Sequence, residues 1–549
     1  MTRNISPLAG KHAPANSLID ISKLIAAYYD QIPDVNNSHE RVIFGTSGHR
    51  GSSLNNTFNE WHILGITQAI CLYRKQHKIT GPLYLGIDTH ALSRPAFETA
   101  MSVLAANEVT VLIAENNEYT PTPALSLAIL VHNKNHHAPL ADGIVITPSH
   151  NPPADGGFKY NTPDGGPADV TVTKWIENKA NDFLKNKLKE VKRLPPETAL
   201  KNKTTKYFNY LQLYVDELQT AINMPVISAS GIHIGVDPLG GAGVHYWEPI
   251  AAQYHLNLTI MNKKIDPTFS FMPVDWDGKI RMNPASEYAM ADVIKQKNNF
   301  DISFACDTDH DRHGIVSPQK GLIDTNHYLA VAIAYLFRHR PQWSTSKMVS
   351  KTIVTSSMID CVCKNIGISV YEVPVGFKWF VKGLIEGKFA FCGEQSAGGV
   401  FDRMSGEVWT TDKDGILLGL LSAEITAALK KDIGVLYHDL EKEFGKTFYK
   451  RIDTPATLEQ KTILLHLSPS EIKDKTLAGD NIESILTRAP GNDADIGGIK
   501  VITKNGWFVA RPSGTEEIYE VTAESFVSEE HLNHILEAAQ TIVNHALEQ

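Results

Sequence analysis

The chain has 549 residues and a formal net charge of −9, with 42% hydrophobic and 21% charged residues. A chain of this length is too long for one hydrophobic core and should divide into several domains. Its acidic balance disfavours a general nucleic-acid binder, since such proteins neutralise phosphates with an excess of lysine and arginine.

The N-terminal segment and the cysteines indicate a cytoplasmic protein that does not enter a membrane. Residues 1–14 are polar and lack the apolar core of a signal peptide, and no run of about 18 apolar residues occurs. The five cysteines are an odd number and lie in or beside apolar segments rather than in a framework of loops. They are therefore expected to be reduced thiols.

The first part of the chain alternates helix-like and strand-like segments. Ser17 is predicted to cap a helix that runs to Tyr28. Strand-like runs at Leu83–Asp88 and Val109–Ala114 flank a predicted helix at Arg94–Ala106, which indicates a βαβ unit. The lysine- and proline-containing residues 191–206 are predicted to form a linker.

Four strand-like segments along the chain each run into a short polar loop of a different chemical kind. In chain order these loops are Thr147–Pro153, Cys306–Gly314, Gly393–Gly399 and Arg511–Glu517. Ligand sites in open α/β sheets lie beyond the carboxyl ends of the strands. We therefore expect four structural units to direct these loops into one cleft.

The first of these loops presents a serine in a rigid setting. Prolines at positions 148, 152 and 153 restrict the backbone around Ser149. Such rigidity suits a hydroxyl that must be offered to a reactant, although a proline-rich surface turn explains the heptapeptide alone equally well. Lys159 follows in the next strand-like segment and returns a basic group to this neighbourhood.

The second loop carries Asp307, Asp309 and Asp311 at alternate positions, so in an extended segment their side chains would share one side. Three such carboxylates repel one another unless a cation lies among them, and oxygen-only ligands favour Mg²⁺, Mn²⁺ or Ca²⁺. An EF-hand is excluded, because Arg312 and Pro318 stand where that loop needs glycine and glutamate. The alternative is a solvated acidic turn.

The other loops suit a phosphorylated polyol. Arg511 and Ser513 stand beside a glycine and a threonine, a combination that suits a dianionic phosphate. Glu394 and Ser396 are suited to binding neighbouring sugar hydroxyls, and the glycine-punctuated loop that contains Arg50 suits an anion. A plain surface turn is the alternative for each loop alone. Together the loops indicate phosphoryl transfer to or from a sugar phosphate.

The sequence resembles the α-D-phosphohexomutase family. T-P-S-H-N-P-P, D-T-D-H-D-R, G-E-Q-S-A-G-G and R-P-S-G-T-E-E are similar to the four signature loops of that family and occur in its order. The resemblance begins with F-G-T-S-G-H-R-G at residues 44–51 and covers essentially the whole chain. It is strongest toward the bacterial members that act on glucose phosphates, because D-W-D-G-K-I-R-M and W-T-T-D-K-D-G are also present.

The resemblance implies an α/β fold of three similar α/β domains with mixed sheets and a smaller C-terminal α+β domain around a central cleft. The expected domains are residues 1–205 with the phosphoserine loop, 206–322 with the Mg²⁺ loop, 323–445 with the sugar loop and 446–549 with the phosphate loop. The family pattern further implies a monomer or a homodimer.

The resemblance also implies a role for each matching residue. Ser149 would be the phosphoserine, with one of its phosphoryl oxygens joining Asp307, Asp309 and Asp311 around one Mg²⁺ per chain. The expected catalytic neighbours are Lys159, His150 and Arg312. The expected substrate-binding residues are Thr46, Arg50, Lys378, Glu394, Ser396, Arg511, Ser513, Gly514 and Thr515.

The implied activity is the interconversion of glucose 1-phosphate and glucose 6-phosphate through a phosphoserine enzyme and glucose 1,6-bisphosphate. One alternative is a mutase for mannose, glucosamine or pentose phosphates. Gly398 argues against the mannose branch, whose members carry histidine there. The other alternative is a catalytically silent protein that binds sugar phosphates.

Overall fold

The computed structural model describes residues 5–45, 47–134, 139–513 and 518–547, which form four β-sheets with helices packed against them. The first sheet has the strand order β1-β2-β6-β5-β3-β4-β7. Its strands are β1 (Phe44–Gly45), β2 (Gly48–Ser52), β3 (Leu83–Ile87), β4 (Val111–Ala114), β5 (Asp142–Ile146), β6 (Asp155–Asn161) and β7 (Thr205–Phe208). The accompanying helices are α1 (Ile21–Asp30), α2 (Glu60–Gln76), α3 (Ser93–Ala106), α4 (Thr122–Asn133), α5 (Val170–Lys185) and α6 (Pro196–Leu200).

The second sheet has the order β12-β11-β10-β8-β9. It contains β8 (Ile234–Asp237), β9 (Leu258–Ile260), β10 (Ile302–Cys306), β11 (His313–Ser317) and β12 (Gly321–Leu322). Its helices are α7 (Tyr210–Glu217), α8 (Met224–Ser230), α9 (Trp247–Tyr254) and α10 (Ala291–Lys295).

The third sheet has the order β14-β13-β15-β16. Its strands are β13 (Met348–Thr352), β14 (Val370–Val373), β15 (Phe389–Glu394) and β16 (Gly398–Phe401). The helices of this part are α11 (Thr325–His339), α12 (Met358–Ile366), α13 (Lys378–Ile385), α14 (Gly415–Leu429) and α15 (Ile433–Phe444).

The fourth sheet is antiparallel throughout and has the order β17-β22-β21-β20-β19-β18. It contains β17 (Phe448–Pro455), β18 (Thr476–Leu477), β19 (Asp480–Arg488), β20 (Asp495–Thr503), β21 (Gly506–Pro512) and β22 (Ile518–Ser525). Helices α16 (Leu458–His466) and α17 (Glu529–Leu547) complete it, and its core is separate from those of the other sheets.

The first three sheets share one local design. In each, parallel strands form the middle, and the strand that precedes a signature loop turns back as an antiparallel neighbour: β5 into β6, β10 into β11 and β15 into β16. The parallel strands β3 and β5 are buried at every residue, which explains their continuous apolar sequence. The fourth loop lies between the paired strands β21 and β22. Each of the first three signature loops is thus the tip of a hairpin.

The predicted fold class is confirmed, while two local predictions are wrong. The first helix begins at Ile21, because the Asp20 side chain accepts the Lys23 N–H, whereas the Ser17 hydroxyl donates to the Pro14 carbonyl. The segment 191–206, predicted as a linker, contains helix α6 and the start of β7. In the described part of the chain, no helix has the length and apolarity needed to cross a membrane.

Candidate active site

Ser149 lies between β5 and β6 with its backbone in the left-handed region, at φ 58°. A residue other than glycine carries about 1–3 kcal/mol of strain there, which neighbouring contacts must offset. The Ser149 N–H donates to the Thr147 hydroxyl at 2.8 Å. Gly157 lies so close beneath this turn that a Cβ atom would stand 2.1 Å from the Thr147 carbonyl oxygen. The serine is therefore held in one backbone conformation by tight local packing.

The Ser149 hydroxyl, in a loop of the first sheet, contacts the acidic loop of the second sheet. It donates to Asp307 Oδ2 at 2.6 Å, and His150 Nδ1 lies 3.3 Å from the same hydroxyl oxygen. Ser149 is only 1% exposed. The predicted nucleophile and the predicted metal loop thus meet directly.

The carboxylates of Asp307, Asp309 and Asp311 converge, with one ligand oxygen from each lying within 4.8 Å of the others. The expectation that they do so from an extended segment is wrong. The loop is a turn in which His310 has a φ of 58°, so the chain folds around the carboxylates. All three aspartates are buried.

The acidic loop has the chemistry of a divalent-cation site. Burial, followed by the charges of Asp309 and Asp311, raises the pKa of Asp307 well above its ordinary value. Asp309 Oδ1 and Asp311 Oδ1 are buried and accept no hydrogen bond from the described residues. An all-oxygen set of closely spaced carboxylates, two of whose oxygens accept no hydrogen bond from the described residues, fits Mg²⁺.

Two lysines from different sheets neutralise the outer side of this loop. Lys159 Nζ on β6 lies 2.6 Å from Asp309 Oδ2 and 3.2 Å from Asp311 Oδ2. Lys413 Nζ, from the segment before α14, lies 3.1 Å from Asp311 Oδ2. Burial alone would raise the pKa of Asp311, but Lys413 and Lys159 outweigh that effect and lower it. Both ammonium groups contact Oδ2 atoms, which leaves Asp309 Oδ1 and Asp311 Oδ1 without a hydrogen bond from the described residues, while Arg312 Nε lies 3.8 Å from the latter oxygen.

Positive charge surrounds the serine on its other side. Arg50 donates to Asn151 Oδ1 at 3.2 Å and to the Ser47 hydroxyl at 2.6 Å. Burial, and then the charges of Arg312 and Arg50, lowers the pKa of His150 well below its ordinary value. His150 is therefore a neutral imidazole between two guanidinium groups, an environment that suits a dianionic phosphate.

The third loop brings Glu394 and Ser396 to the same region. Glu394 Oε1 accepts the Gly376 N–H at 3.0 Å, and burial raises the pKa of this carboxyl. The Ser396 carbonyl accepts a hydrogen bond from Arg312 Nη1 at 3.1 Å, which ties the second loop to the third. Lys378 begins helix α13, and burial lowers its pKa, with Arg511 acting in the same direction.

The fourth loop begins with Arg511, which hydrogen-bonds to its own sheet. Its guanidinium Nε donates to the Ile496 carbonyl at 3.0 Å, and its charge is felt by Lys378 of the third unit. Ser513 follows at the end of β21, and its N–H donates to the Ile518 carbonyl at 2.9 Å. Thr46, Gly514 and Thr515, which the sequence also places in the site, lie outside the described residues.

Two basic residues of the site were missed as individual candidates. Lys413 is part of the W-T-T-D-K-D-G segment, and its role depends on a contact with Asp311, from a distant part of the chain. Arg281 belongs to the D-W-D-G-K-I-R-M segment, and its charge helps to lower the pKa of His150. The two segments were the only sequence signal for these side chains.

Four family models match consecutive parts of the chain. They describe the domains of phosphoglucomutase/phosphomannomutase: alpha/beta/alpha domain I at residues 41–187, domain II at 212–321, domain III at 324–444 and the C-terminal domain at 471–541.

Relatives and solved structures agree with these matches. The chain is 56% identical over 541 residues to phosphoglucomutase of Komagataeibacter xylinus, covering 98% of each chain. It is 24% identical to human phosphoglucomutase-1 over 78% of this chain and 75% of that one. The open form of Paramecium pp63/parafusin, a phosphoglucomutase, has the same fold, with a TM-score of 0.73 at 19% identity over 94% of this chain and 96% of that chain.

Proposed function

The chain belongs to the α-D-phosphohexomutase family, and from that premise we propose that Ser149 carries the phosphoryl group it transfers. Its activity is that of a phosphoglucomutase, an isomerase-class phosphotransferase. The 56% identity over 98% of the chain favours glucose phosphates over mannose, glucosamine or pentose phosphates. The presence of Ser149 and all three aspartates favours an enzyme over a silent binding protein.

The proposed reaction starts from phosphorylated Ser149 and glucose 1-phosphate. The bond between Ser149 Oγ and phosphorus breaks as the 6-hydroxyl oxygen of the sugar bonds to phosphorus, which gives glucose 1,6-bisphosphate. The bisphosphate then turns over in the cleft. Its bond between phosphorus and oxygen 1 breaks as Ser149 Oγ bonds to that phosphorus, which leaves glucose 6-phosphate and restores the phosphoserine.

Each transfer moves one proton between the sugar hydroxyl and the serine oxygen. We assign this movement to Lys159, which lies on β6 beside the metal loop that Ser149 contacts. Its ammonium gives a proton to the oxygen that leaves phosphorus, and its amine recovers one from the oxygen that attacks. We also assign to His150 and Arg312 contacts with the transferring phosphoryl group, with His150 as a neutral hydrogen-bonding group beside the Ser149 hydroxyl and Arg312 as the charge that offsets the phosphoryl group.

Asp307, Asp309 and Asp311 would hold one Mg²⁺ per chain together with an oxygen of the phosphoserine. When bound, the ion withdraws charge from the transferring phosphoryl group as a Lewis acid. The unpaired carboxylate oxygens of this loop support the assignment.

The remaining loops hold the sugar phosphate in both of its orientations. Glu394 and Ser396 bind sugar hydroxyls. The phosphate that does not react is held by Arg511, Ser513, Gly514 and Thr515, and further phosphate contacts come from Lys378, Arg50 and Thr46. The repulsion between Lys378 and Arg511, which lowers the pKa of Lys378 in addition to burial and against the charge of Asp169, supports a phosphate position between the third and fourth units.

The proposal extends to the organisation of the protein. We assign four domains, at residues 1–205, 206–322, 323–445 and 446–549, noting that the last strand of the first sheet runs on to Phe208. A monomer or a homodimer acting in the cytoplasm accords with the five free cysteines, four of which are buried. The partners we propose are sugar phosphates, not nucleic acid or membranes.

The hydrogen bond from Ser149 to Asp307 carries this proposal, because it joins the serine hydroxyl directly to the acidic loop. The test combines two measurements on the intact protein. Incubation with glucose 1,6-bisphosphate should add the mass of one phosphoryl group, and peptide mapping should place that group on Ser149. A coupled assay should detect glucose 6-phosphate formed from glucose 1-phosphate, with slower reactions of mannose, glucosamine and ribose phosphates. A protein that forms product without ever phosphorylating Ser149 would refute the assignment.

A further inference from the structure

The left-handed conformation of Ser149 is held by two threonine hydroxyls from different sheets. Thr147 Oγ1 accepts the Ser149 N–H at 2.8 Å. Thr308, between two of the metal-loop aspartates, donates from its hydroxyl to the Ser149 carbonyl at 2.6 Å. Both peptide groups that flank the serine Cα are therefore fixed by side chains, which offsets the strain of the positive φ.

Both threonines in turn meet one carboxylate, that of Asp88 at the end of β3. Thr147 Oγ1 donates to Asp88 Oδ2 at 2.7 Å, and Thr308 Oγ1, 3.0 Å from the same oxygen, shares its one hydroxyl proton between Asp88 and the Ser149 carbonyl. The other oxygen, Oδ1, accepts hydrogen bonds from the Ser93 hydroxyl at 2.6 Å and from the backbone N–H of His90 at 3.0 Å. Asp88 is 1% exposed. A carboxylate so buried and so fully bonded is rigid.

His90 links this carboxylate to the far side of the serine loop. Its Nδ1 lies 2.7 Å from Asp88 Oδ2, and its Nε2 lies 3.0 Å from the carbonyl oxygen of Asn151. Both ring nitrogens face acceptors, so both must donate and the ring is an imidazolium. Burial alone would lower the pKa of His90, but Asp88 outweighs it and raises that pKa. The ring also packs on Phe269 of the second unit at a centroid distance of 5.0 Å.

We infer that Asp88 and His90 are positioning residues that hold Ser149 in its reactive conformation through Thr147, Thr308 and Asn151. The inference depends on the proposed role of Ser149 as phosphoryl carrier. Besides their bond to each other, Asp88 bonds to Ser93 and to the two threonine hydroxyls, and His90 bonds to the Asn151 carbonyl. Among the described residues, neither side chain bonds to the Ser149 hydroxyl or to the metal-loop carboxylates. Because Thr308 belongs to the metal loop, the network also fixes the serine loop against the metal-loop backbone.

The two ring contacts of His90 can be separated by substitution. In His90→Asn the amide nitrogen replaces Nδ1, so the hydrogen bond to Asp88 is kept and the one to the Asn151 carbonyl is lost. In His90→Gln it replaces Nε2 and keeps the bond to Asn151. His90→Phe retains the ring against Phe269 and loses both bonds. The variants are compared by the single-turnover rate at which glucose 1,6-bisphosphate phosphorylates Ser149, and by kcat and KM for glucose 1-phosphate.

We expect His90→Phe to lower the phosphorylation rate and kcat about 10- to 100-fold, as for loss of a supporting partner, with KM changed little. His90→Gln should recover more of the rate than His90→Asn, since it preserves the contact to the serine loop. A drop in melting temperature with kcat unchanged in all three variants would overturn the inference, and so would equal rates for Gln and Asn.

A second pair of variants covers the case in which the histidine variants do not fold. Thr308→Val keeps the shape of the side chain and removes the donor to the Ser149 carbonyl, while Thr308→Ser keeps that donor. We expect the serine variant to retain the phosphorylation rate and the valine variant to lose it. Parent protein that never becomes phosphorylated would instead refute the role of Ser149. Phosphorylated parent with equal rates in both Thr308 variants would refute only the positioning network.

Discussion

Lys500 on β20 donates to both carboxylate oxygens of Glu372 on β14, at 2.9 and 3.0 Å, and so fastens the C-terminal unit to the third one. The same ammonium donates to the Ile353 carbonyl at 2.9 Å. Elsewhere in the fourth sheet, Glu524 on β22 accepts the Ser357 N–H at 2.8 Å. Buried charges of this kind hold an orientation strongly, because losing one partner leaves the other unpaired.

Lys500→Met should therefore loosen the docking of the C-terminal unit without touching the metal loop. We expect KM for glucose 1-phosphate to rise several-fold while the apparent affinity for Mg²⁺ stays the same. Steady-state kinetics at varied sugar phosphate and varied Mg²⁺ would measure both. Lys450→Met, which changes an exposed lysine on β17 of the same unit, is the matched control. A lowered melting temperature with unchanged KM would limit the contact to a structural role.

Arg511→Lys tests whether this docked unit clamps the phosphate that does not react. A point charge cannot reproduce the bidentate fork of a guanidinium, so KM should rise and kcat/KM should fall. The fall should correspond to a loss of about 1–3 kcal/mol of transition-state stabilisation. Phosphorylation of Ser149 should remain possible, because the nucleophile and metal loop belong to other units. Arg488→Lys on the exposed surface of β19 serves as the comparison. An unchanged KM would mean that Arg511 stabilises only its own sheet.

Ser149→Ala should leave a folded protein whose turnover falls by several powers of ten. Removing a covalent nucleophile abolishes its route, whereas the loss of one hydroxyl alters packing little. Circular dichroism would confirm the fold and a coupled assay would measure the residual rate. Ser346→Ala, at an exposed serine, should retain full activity. Near-normal turnover by the folded Ser149→Ala variant would be incompatible with a phosphoserine mechanism.

Asp309→Asn should weaken Mg²⁺ binding about 10- to 100-fold, as expected when a metal site loses a charged partner, and turnover should fall with it. Ca²⁺ should support little activity, because it prefers more ligands and longer bonds than Mg²⁺ and would misplace the phosphoryl group. Titration of activity with each ion would measure the effect, with Asp182→Asn on the exposed face of α5 as control. Full activity in excess chelator would disprove the metal role of the loop.

Asp414, the residue after Lys413, provides a test of pH dependence. Burial raises the pKa of this N-cap carboxyl of α14 to about 6, while hydrogen bonds from Trp409, Leu417 and Tyr214 act against that rise. The unfolded-state pKa of an aspartate is about 3.9, and the folded-state pKa of Asp414 is about 6. Between these two pH values the folded protein binds more protons than the unfolded protein does. Its contribution to stability is therefore greatest at low pH and is lost as the pH rises through about 6.

We expect the difference in melting temperature between Asp414→Asn and the parent to change with pH. Asparagine still caps the helix but does not ionise, so the variant should gain in melting temperature relative to the parent as the pH rises from about 4 to 7. Asp432→Asn is the control, because it makes the same substitution at the N-cap of α15, where the aspartate is only half-buried. A difference that does not vary with pH would show that Asp414 does not change its protonation on unfolding in this range.

The strands that precede the signature loops were predictable, because β-branched apolar runs ending at proline, glycine or aspartate are local signals. Local signals also misled. The start of the first helix depends on whether Asp20 or Ser17 finds a free backbone N–H, which composition does not reveal. The convergence of the three aspartates was expected from their spacing, but it is produced by a turn at His310.

Contacts between distant segments could not be predicted from one sequence. Lys413 and Asp311 meet only because two hairpins lie side by side, joined by a bridge between Arg312 and Gly398. The surroundings of Asp88 depend equally on loops far apart in the chain. Such residues carry ordinary local patterns, and their importance appears only once the sheets are assembled.

The meeting of hairpin tips from separate sheets has a consequence for dividing the chain. Thr122 donates to Asp309 Oδ2, Ser149 donates to Asp307, and Arg312 donates to the Ser396 carbonyl. These hydrogen bonds join the serine loop, the acidic loop and the sugar loop to residues of neighbouring units. Two fragments separated between the first and second sheets would divide a hydrophobic core that both sheets share, and neither would have activity. Mixing them would restore turnover only as fast as they associate, which would make catalysis a direct measure of how the units recognise one another.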